Sequence, residues 1–384
     1  MTGSSSNGAP GFRNVPRTAL VTGASGFVGR RLVEMLVERG AQRVVAFDLQ
    51  PPAPDALDHP AVQYVVGDIT DAAAVSAACE GVECCFHLAA LVGPYHVESA
   101  YERVNYGGTL NVIEGCRAHG VGKLVMSSSP STRFPYPDPN VRGLTEDDLE
   151  AINAGPYSPQ FHATYARTKA MGERAALDAC SDELLTVAVA PHQVYGPRDP
   201  LFLPSILAAA RAGKLRIFGD GGNRISFTHV DNYCHGLILG AEALYPGSSV
   251  LGRFYIVTDR EPQLLWEALD RAVTGVGLPS LRTRRALPVW FMMGLARVTV
   301  VLAHLIALVT RRPFPHVMRA LRLNPFAVRM LVIDRFFDIS RAQRDLGYEP
   351  LLSFEDGWTE TIDWFREASA AGDPDRGKTA AGSR

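Results

Sequence analysis

Neither sign of charge predominates in this chain. Its 384 residues carry 38 basic and 40 acidic side chains, a net charge of −2, which leaves no electrostatic footprint for nucleic acid. Cysteine is sparse. Cys79, Cys84, Cys85, Cys116, Cys180 and Cys234 form no paired C-x-x-C pattern, so the usual zinc and dithiol motifs are missing and no metal site is expected. Most lie in apolar runs and read as reduced core residues of a reducing compartment. No internal repeat is present. Residues 1–16 lack the apolar centre of a signal peptide and read as a flexible leader, and residues 367–384 read as a frayed tail. The chain has 47% hydrophobic residues, a globular share, and is too long for one minimal domain.

What is present begins with a short β-rich run, "TALVT" at 18–22, followed by "GASGFVG". Gly23, Gly26 and Gly29 fall at G-x-x-G-x-x-G spacing. Leu32, Met35 and Leu36 then recur at helical spacing, Gly40 stops the helix, and a second strand, "RVVAF", ends at Asp48. The first glycine permits a tight turn, the second lets backbone approach a phosphate, and the third allows close helix–strand packing. The helix start at Phe27 and Val28 offers unpaired N–H groups to a pyrophosphate. Asp48, nineteen residues past Gly29, can accept hydrogen bonds from ribose hydroxyls, and its charge opposes a 2′-phosphate. The reading is therefore a dinucleotide site that takes NAD in preference to NADP.

Strands and helices keep alternating, through "VQYVVGDIT", "VECCFHLAA" and "KLVMSSS". This predicts an α/β fold of Rossmann type, a doubly wound parallel sheet with helices on both faces. Ligands then sit beyond the carboxyl ends of the strands. Asp68, Ile69, Leu88, Ala89, Ala90 and Ser129 lie at such ends. Further on, Tyr165 and Lys169 stand four residues apart, on one face of a helix.

"TGASGFVG", Asp48, "GDIT", "HLAA", the serine run and "YARTK" together resemble the extended short-chain dehydrogenase/reductase superfamily. The resemblance implies a catalytic set of Ser129, Tyr165 and Lys169, Ser129 being the last serine of its run. Tyr165 would act as base, with a lysine ammonium and the nicotinamide charge favouring its phenolate. Ser129 would hold the developing carbonyl oxygen, and Lys169 would also bind the nicotinamide ribose. The strand ending at Pro191 would lie beside the nicotinamide. His192 follows it and reads equally as a substrate contact or a structural histidine.

Residues 188–243 and "FFDISRAQRDLGYEP" at 336–350 are similar to the 3β-hydroxysteroid dehydrogenase branch, and most of all to decarboxylating sterol-4α-carboxylate 3-dehydrogenases. This implies oxidation of a sterol 3β-hydroxyl, with loss of CO2 where a 4α-carboxylate is present. A dehydrogenase that also shifts a ring double bond is an alternative. So is a nucleotide-sugar epimerase, but its diphosphate-gripping arginine is replaced by Ile225, its aspartate by Ser226, and Arg224 comes one position early. On a strand, that shift turns the side chain to the other face. A non-catalytic redox sensor would have no use for the phenolate.

The expected division is 17–191 for the dinucleotide domain and 192–366 for a smaller substrate-binding subdomain. The latter holds the apolar segment 287–310, 24 residues with one charge, Arg297, between the basic pairs Arg284–Arg285 and Arg311–Arg312. It is long enough to cross a bilayer, although a mid-span arginine disfavours an isolated spanning helix. Arg297, His304 and Arg311 share one helix face. The segment reads as a membrane-embedded or interfacial helix, or else as a buried helix near the substrate entrance. Expected partners are thus a sterol and a membrane surface, met from the cytoplasmic side, with a homodimer and a wholly cytoplasmic protein left open.

Overall fold

A computed structural model describes residues 15–93, 96–321 and 323–370. Most of the expected leader and tail lies outside them. The final helix runs Phe354–Ala370, into the segment expected to fray, because Phe365 and Ala368 are buried against the body.

The main sheet has seven strands: β1 (Thr18–Thr22), β2 (Arg43–Asp48), β3 (Val62–Val66), β4 (Cys84–His87), β5 (Lys123–Ser127), β7 (Leu185–Pro191) and β11 (Arg253–Val257). Their order is β11-β7-β5-β4-β1-β2-β3, and every pairing is parallel. The central strands are apolar without alternation. Ala19, Leu20, Val21, Val125, Val187 and Ala188 are fully buried, as expected where helices cover both faces. Two apolar clusters fill the two faces.

A second layer holds a four-stranded sheet of β6 (Val141–Leu144), β9 (Arg224–Ile225), β12 (Gln263–Leu264) and β13 (Arg335–Phe337), in the order β12-β9-β13-β6. A short parallel pair, β8 (Val194–Tyr195) and β10 (Thr228–His229), lies between. Tyr195, Phe227, Phe354 and Trp358 form its aromatic core. The chain crosses between layers repeatedly. β6 leaves the first half for the small sheet, and β11 returns to the edge of the large one. A single cut between 191 and 192 therefore does not separate the two sheets, because strand pairing over long sequence separations decides the layers.

The apolar segment is one helix, Val289–Thr310. Only Met292, Ala296 and Ala303 on it are buried. They pack on the short helices Phe314–Leu321 and Pro325–Met330. Leu308 and Val309 are 78% and 82% exposed, so the buried-helix expectation is corrected. A narrow stripe on these three residues touches protein, and most of the remaining apolar surface faces outward.

Candidate active site and its relatives

The glycine turn is shaped by two close approaches. Gly23 adopts φ +76°, open to glycine at little cost, and a Cβ there would stand 2.8 Å from the Ala89 nitrogen. A Cβ on Gly29 would lie 2.0 Å from the Gly23 carbonyl oxygen. The helix Phe27–Glu38 starts at Gly26 with no side-chain cap and no acid in its first turn. Its N-terminal N–H groups are left to a ligand, as an anion cradle requires. Asp48 accepts from the Ser25 and Gln50 amides, both at 2.9 Å, which aims the carboxylate while each oxygen keeps a free lone pair. Arg30, the nearest basic residue in the turn, is taken by Asp55 at 2.8 Å and Glu34 at 3.3 Å. The site therefore has a hydroxyl acceptor, and its neighbouring Arg30 is already paired rather than open to a 2′-phosphate, which fits NAD. Asp68 is exposed and Ile69 buried at the end of β3, where the Asp68 side chain accepts from the Thr70 amide at 2.8 Å.

Leu88, Ala89 and Ala90 are half-buried beyond β4. Thr22 holds this segment, its carbonyl accepting from the Leu88 amide at 3.1 Å and its Oγ1 from Ala89 at 3.2 Å. His87 bridges Thr22 and Thr109 at 2.8 and 2.9 Å. Burial drops its pKa to about 3, with Lys169 adding to the drop, so the ring is a neutral structural link.

Tyr165 lies in the first turn of the helix Thr164–Asp178, with Lys169 one turn on. Lys169 is 3% exposed and its Nζ donates to the Ser127 carbonyl at 2.7 Å. This seats the ammonium at the end of β5. Burial lowers its pKa to about 8, while Glu173 pulls the other way. The Tyr165 ring stands 6.4 Å from that of Tyr101, and its phenol is pushed up to about 12 by burial first and Tyr101 second. The protein alone thus holds the phenol protonated; an added positive charge is needed to favour the phenolate.

The three serines separate by partner. Ser127 Oγ accepts from the Tyr233 hydroxyl at 2.7 Å. Ser128 is buried and donates to Glu173, which is itself paired with the buried Arg133 at 2.7 Å. Ser129 is half-buried, and among the described residues its hydroxyl meets that of its neighbour Ser131, at 2.8 Å, and no group from the core. It is the one serine of the run free of the core.

Asn105 carried no signal in the sequence. It lies in a single π-helical turn, Glu102–Gly107, a feature frequent at functional sites. Its Oδ1 accepts from the Leu91 amide at 2.7 Å, and its Nδ2 donates to the Leu91 carbonyl and Thr168 Oγ1, both at 3.2 Å. It ties the segment beyond β4 to the helix carrying Tyr165. Pro191 ends β7, in register with Val257. His192 is buried, with Nδ1 2.8 Å from the Ser226 carbonyl. In the small sheet Ile225 is fully buried and Arg224 exposed, so no guanidinium stands where the sugar-nucleotide enzymes grip their diphosphate.

The chain has relatives among known proteins. A 2-alkyl-3-oxoalkanoate reductase of Stenotrophomonas maltophilia (strain K279a) is 35% identical, over 88% of this chain and 96% of its own length. The decarboxylating sterol-4-alpha-carboxylate 3-dehydrogenase of Homo sapiens is 34% identical, over 92% and 90%. Among solved structures, a double mutant of the dTDP-glucose 4,6-dehydratase of Streptomyces venezuelae, with NAD bound, superposes with a TM-score of 0.65. It shares 22% identity over 92% of this chain and 98% of its own, a likeness of fold. The chain is an oxidoreductase that acts on CH–OH groups. Residues 20–287 match the model of the 3-beta hydroxysteroid dehydrogenase/isomerase family, and with its relatives covered almost end to end, the chain belongs to that family.

Proposed function

We propose that this chain oxidises the 3β-hydroxyl of a sterol bearing a 4α-carboxylate, using NAD, at Tyr165, Lys169 and Ser129. The observation that carries the reading is Lys169 seated on the Ser127 carbonyl, one helical turn from Tyr165 and at the end of the strand that leads into Ser129. NAD, when bound, accepts the hydride from C3. Tyr165 takes the hydroxyl proton, Ser129 donates to the developing carbonyl oxygen, and Lys169 offers its remaining N–H groups to ribose and phenol. The product is a β-keto acid. Its carbonyl accepts the electron pair released as CO2 departs, so little further help from the protein is required. The bacterial relative's name gives a second reading, reduction of a 2-alkyl-3-oxo acid, in which Tyr165 returns the proton. Both substrates place a carboxylate one carbon from the reacting centre.

Incubation with NAD and a panel of 4α-carboxysterols, 3β-hydroxysteroids without the carboxylate, 2-alkyl-3-hydroxy acids and UDP-sugars tests the reading. NADH and CO2 should appear together with the first class. NADH from the 2-alkyl-3-hydroxy acids alone would select the reductase, and turnover of a UDP-sugar would reject both.

Asp48 sets cofactor choice. Wild type should prefer NAD, and Asp48→Ala should shrink that preference about 10- to 100-fold, the worth of hydrogen bonds to a charged group. Ratios of kcat/KM for NAD and NADP read this directly, and a wild type preferring NADP would refute the assignment.

The helix Val289–Thr310 lies on a membrane surface from the cytoplasmic side. Arg297 and His304 are exposed midway along it, and a spanning helix would strand both in hydrocarbon. At an interface they reach headgroups. The helix is also held along the body, since Phe314–Leu321 packs against it and Arg319 of that helix comes within 3.4 Å of His96. A cleft of about 510 Å³, lined by Pro137, Pro139, Val289, Met293, Val332 and Ile333 among others, opens at its base. It offers a lipid a route from membrane to protein.

A further inference from the structure

Arg335 is a guanidinium without an acid. Among the described residues it forms no ion pair, and the acid beside it, Asp334, is taken by Arg142 at 2.7 Å and the Arg224 amide at 2.8 Å. Its Nη2 donates to the Met330 carbonyl at 2.7 Å, while its Nε is closed to solvent and has no acceptor. Of the fork's five donors, one goes to Met330 and one faces His192, which leaves an N–H on each terminal nitrogen unspent. Burial alone acts on it and lowers its pKa to about 10. Arg335 is half-buried, and a guanidinium drawn partly out of water with no acid opposite it is a costly arrangement.

Its neighbours lead along the chain to the strand ends that carry the candidate catalytic residues. His192 follows β7, whose Val189 is in register with Ser127 at the end of β5. The His192 Nδ1 faces a carbonyl, so it must carry the proton. Nε2 then presents a lone pair toward Arg335 Nη1, 3.5 Å away. Phe134, which follows the turn begun at Ser129, and Phe337 flank the histidine at 6.3 and 5.2 Å between ring centres. Arg335 is also in register with Ile225, the position that lacks the sugar-nucleotide arginine. The small sheet therefore does carry a guanidinium, one strand over from that position.

We propose that Arg335, steadied by His192 and the Met330 carbonyl, binds the substrate's carboxylate beside the reacting C–OH. This rests on the proposed oxidation of a 3-hydroxy acid. The fork geometry suits a carboxylate, which takes two parallel N–H groups, and Phe134 and Phe337 pack against the histidine beside it. Arg335 then selects carboxylated substrates over neutral ones, and His192 is a positioning residue.

The test uses the full-length protein with NAD and a matched pair, a 4α-carboxy-3β-hydroxysterol and its methyl ester. Wild type should show a KM about 10- to 100-fold lower for the acid. Arg335→Gln should erase that gap by raising KM for the acid far more than for the ester, with the affinity for NAD kept. Arg335→Lys should restore part of the gap. Equal KM values for acid and ester in wild type would overturn the proposal, and that comparison stands even if the variants fail to fold. So would equal losses on both substrates in a folded Arg335→Gln. UDP-glucose bound by wild type and lost in Arg335→Gln would assign the guanidinium to a diphosphate instead. If neither sterol is oxidised, the sterol reading falls, and the acid and ester of a 2-alkyl-3-hydroxyalkanoate decide Arg335 separately.

Discussion

Tyr165→Phe will remove nearly all turnover while the protein still folds and binds NAD. The substitution deletes one hydroxyl that makes no hydrogen bond within the described residues, so folding loses little. Chemistry loses the proposed group that takes the proton. Removing a general base costs about 10²- to 10⁴-fold in rate. The unliganded protein, Lys169 included, holds this phenol at about 12, so its ionisation depends on the positive charge that the bound cofactor adds. Lys169→Met should lower kcat and, unlike Tyr165→Phe, weaken NAD binding as well. Steady-state rates beside NAD titration by fluorescence separate the two. Near-normal turnover in Tyr165→Phe would remove the tyrosine from the mechanism.

The second large effect is on partitioning. Full-length protein should sediment with anionic vesicles, and high salt should release it only in part. Leu302, Leu305 and Val309 recur at three- and four-residue spacing on the exposed side of the helix Val289–Thr310, and all are 49% exposed or more. Burying about half the surface of such a helix at roughly 25 cal/mol per Å² yields several kcal/mol, enough for attachment. The basic residues at its ends add about 1 kcal/mol each near an anionic surface. Changing those three residues to glutamate should move the protein to the soluble fraction with its NAD affinity intact. Deletion of the helix is a poorer test, because Met292, Ala296 and Ala303 cover Val317, Met318 and Val328. Wild type that ignores vesicles and self-associates through this face would replace the membrane with a second copy of the chain.

Much of the site was legible because its parts are local. A glycine turn, a helix start and an acid at the next strand end occupy one short stretch of chain, and their roles follow from backbone sterics and the helix dipole. Tyr165 and Lys169 share a face because a helix repeats every 3.6 residues. The choice of Ser129 within its run came from resemblance. The partners of the other two serines, Tyr233 and Glu173, come from elements far along the chain.

Asn105 and Arg335 were not legible. Each matters through contacts across long separations, Asn105 to Leu91 and Thr168, Arg335 to His192, and an isolated asparagine or arginine has no periodic pattern to reveal it. The direction in which Lys169 points, the crossing of β6 and β11 between layers and the exposure of the apolar helix have the same origin. Composition and spacing determined that this chain binds a dinucleotide in an α/β sheet and carries one long apolar helix. Which charges are left without partners, and which apolar surface is left uncovered, only the tertiary structure decided, because both are sums over neighbours that the linear order keeps apart.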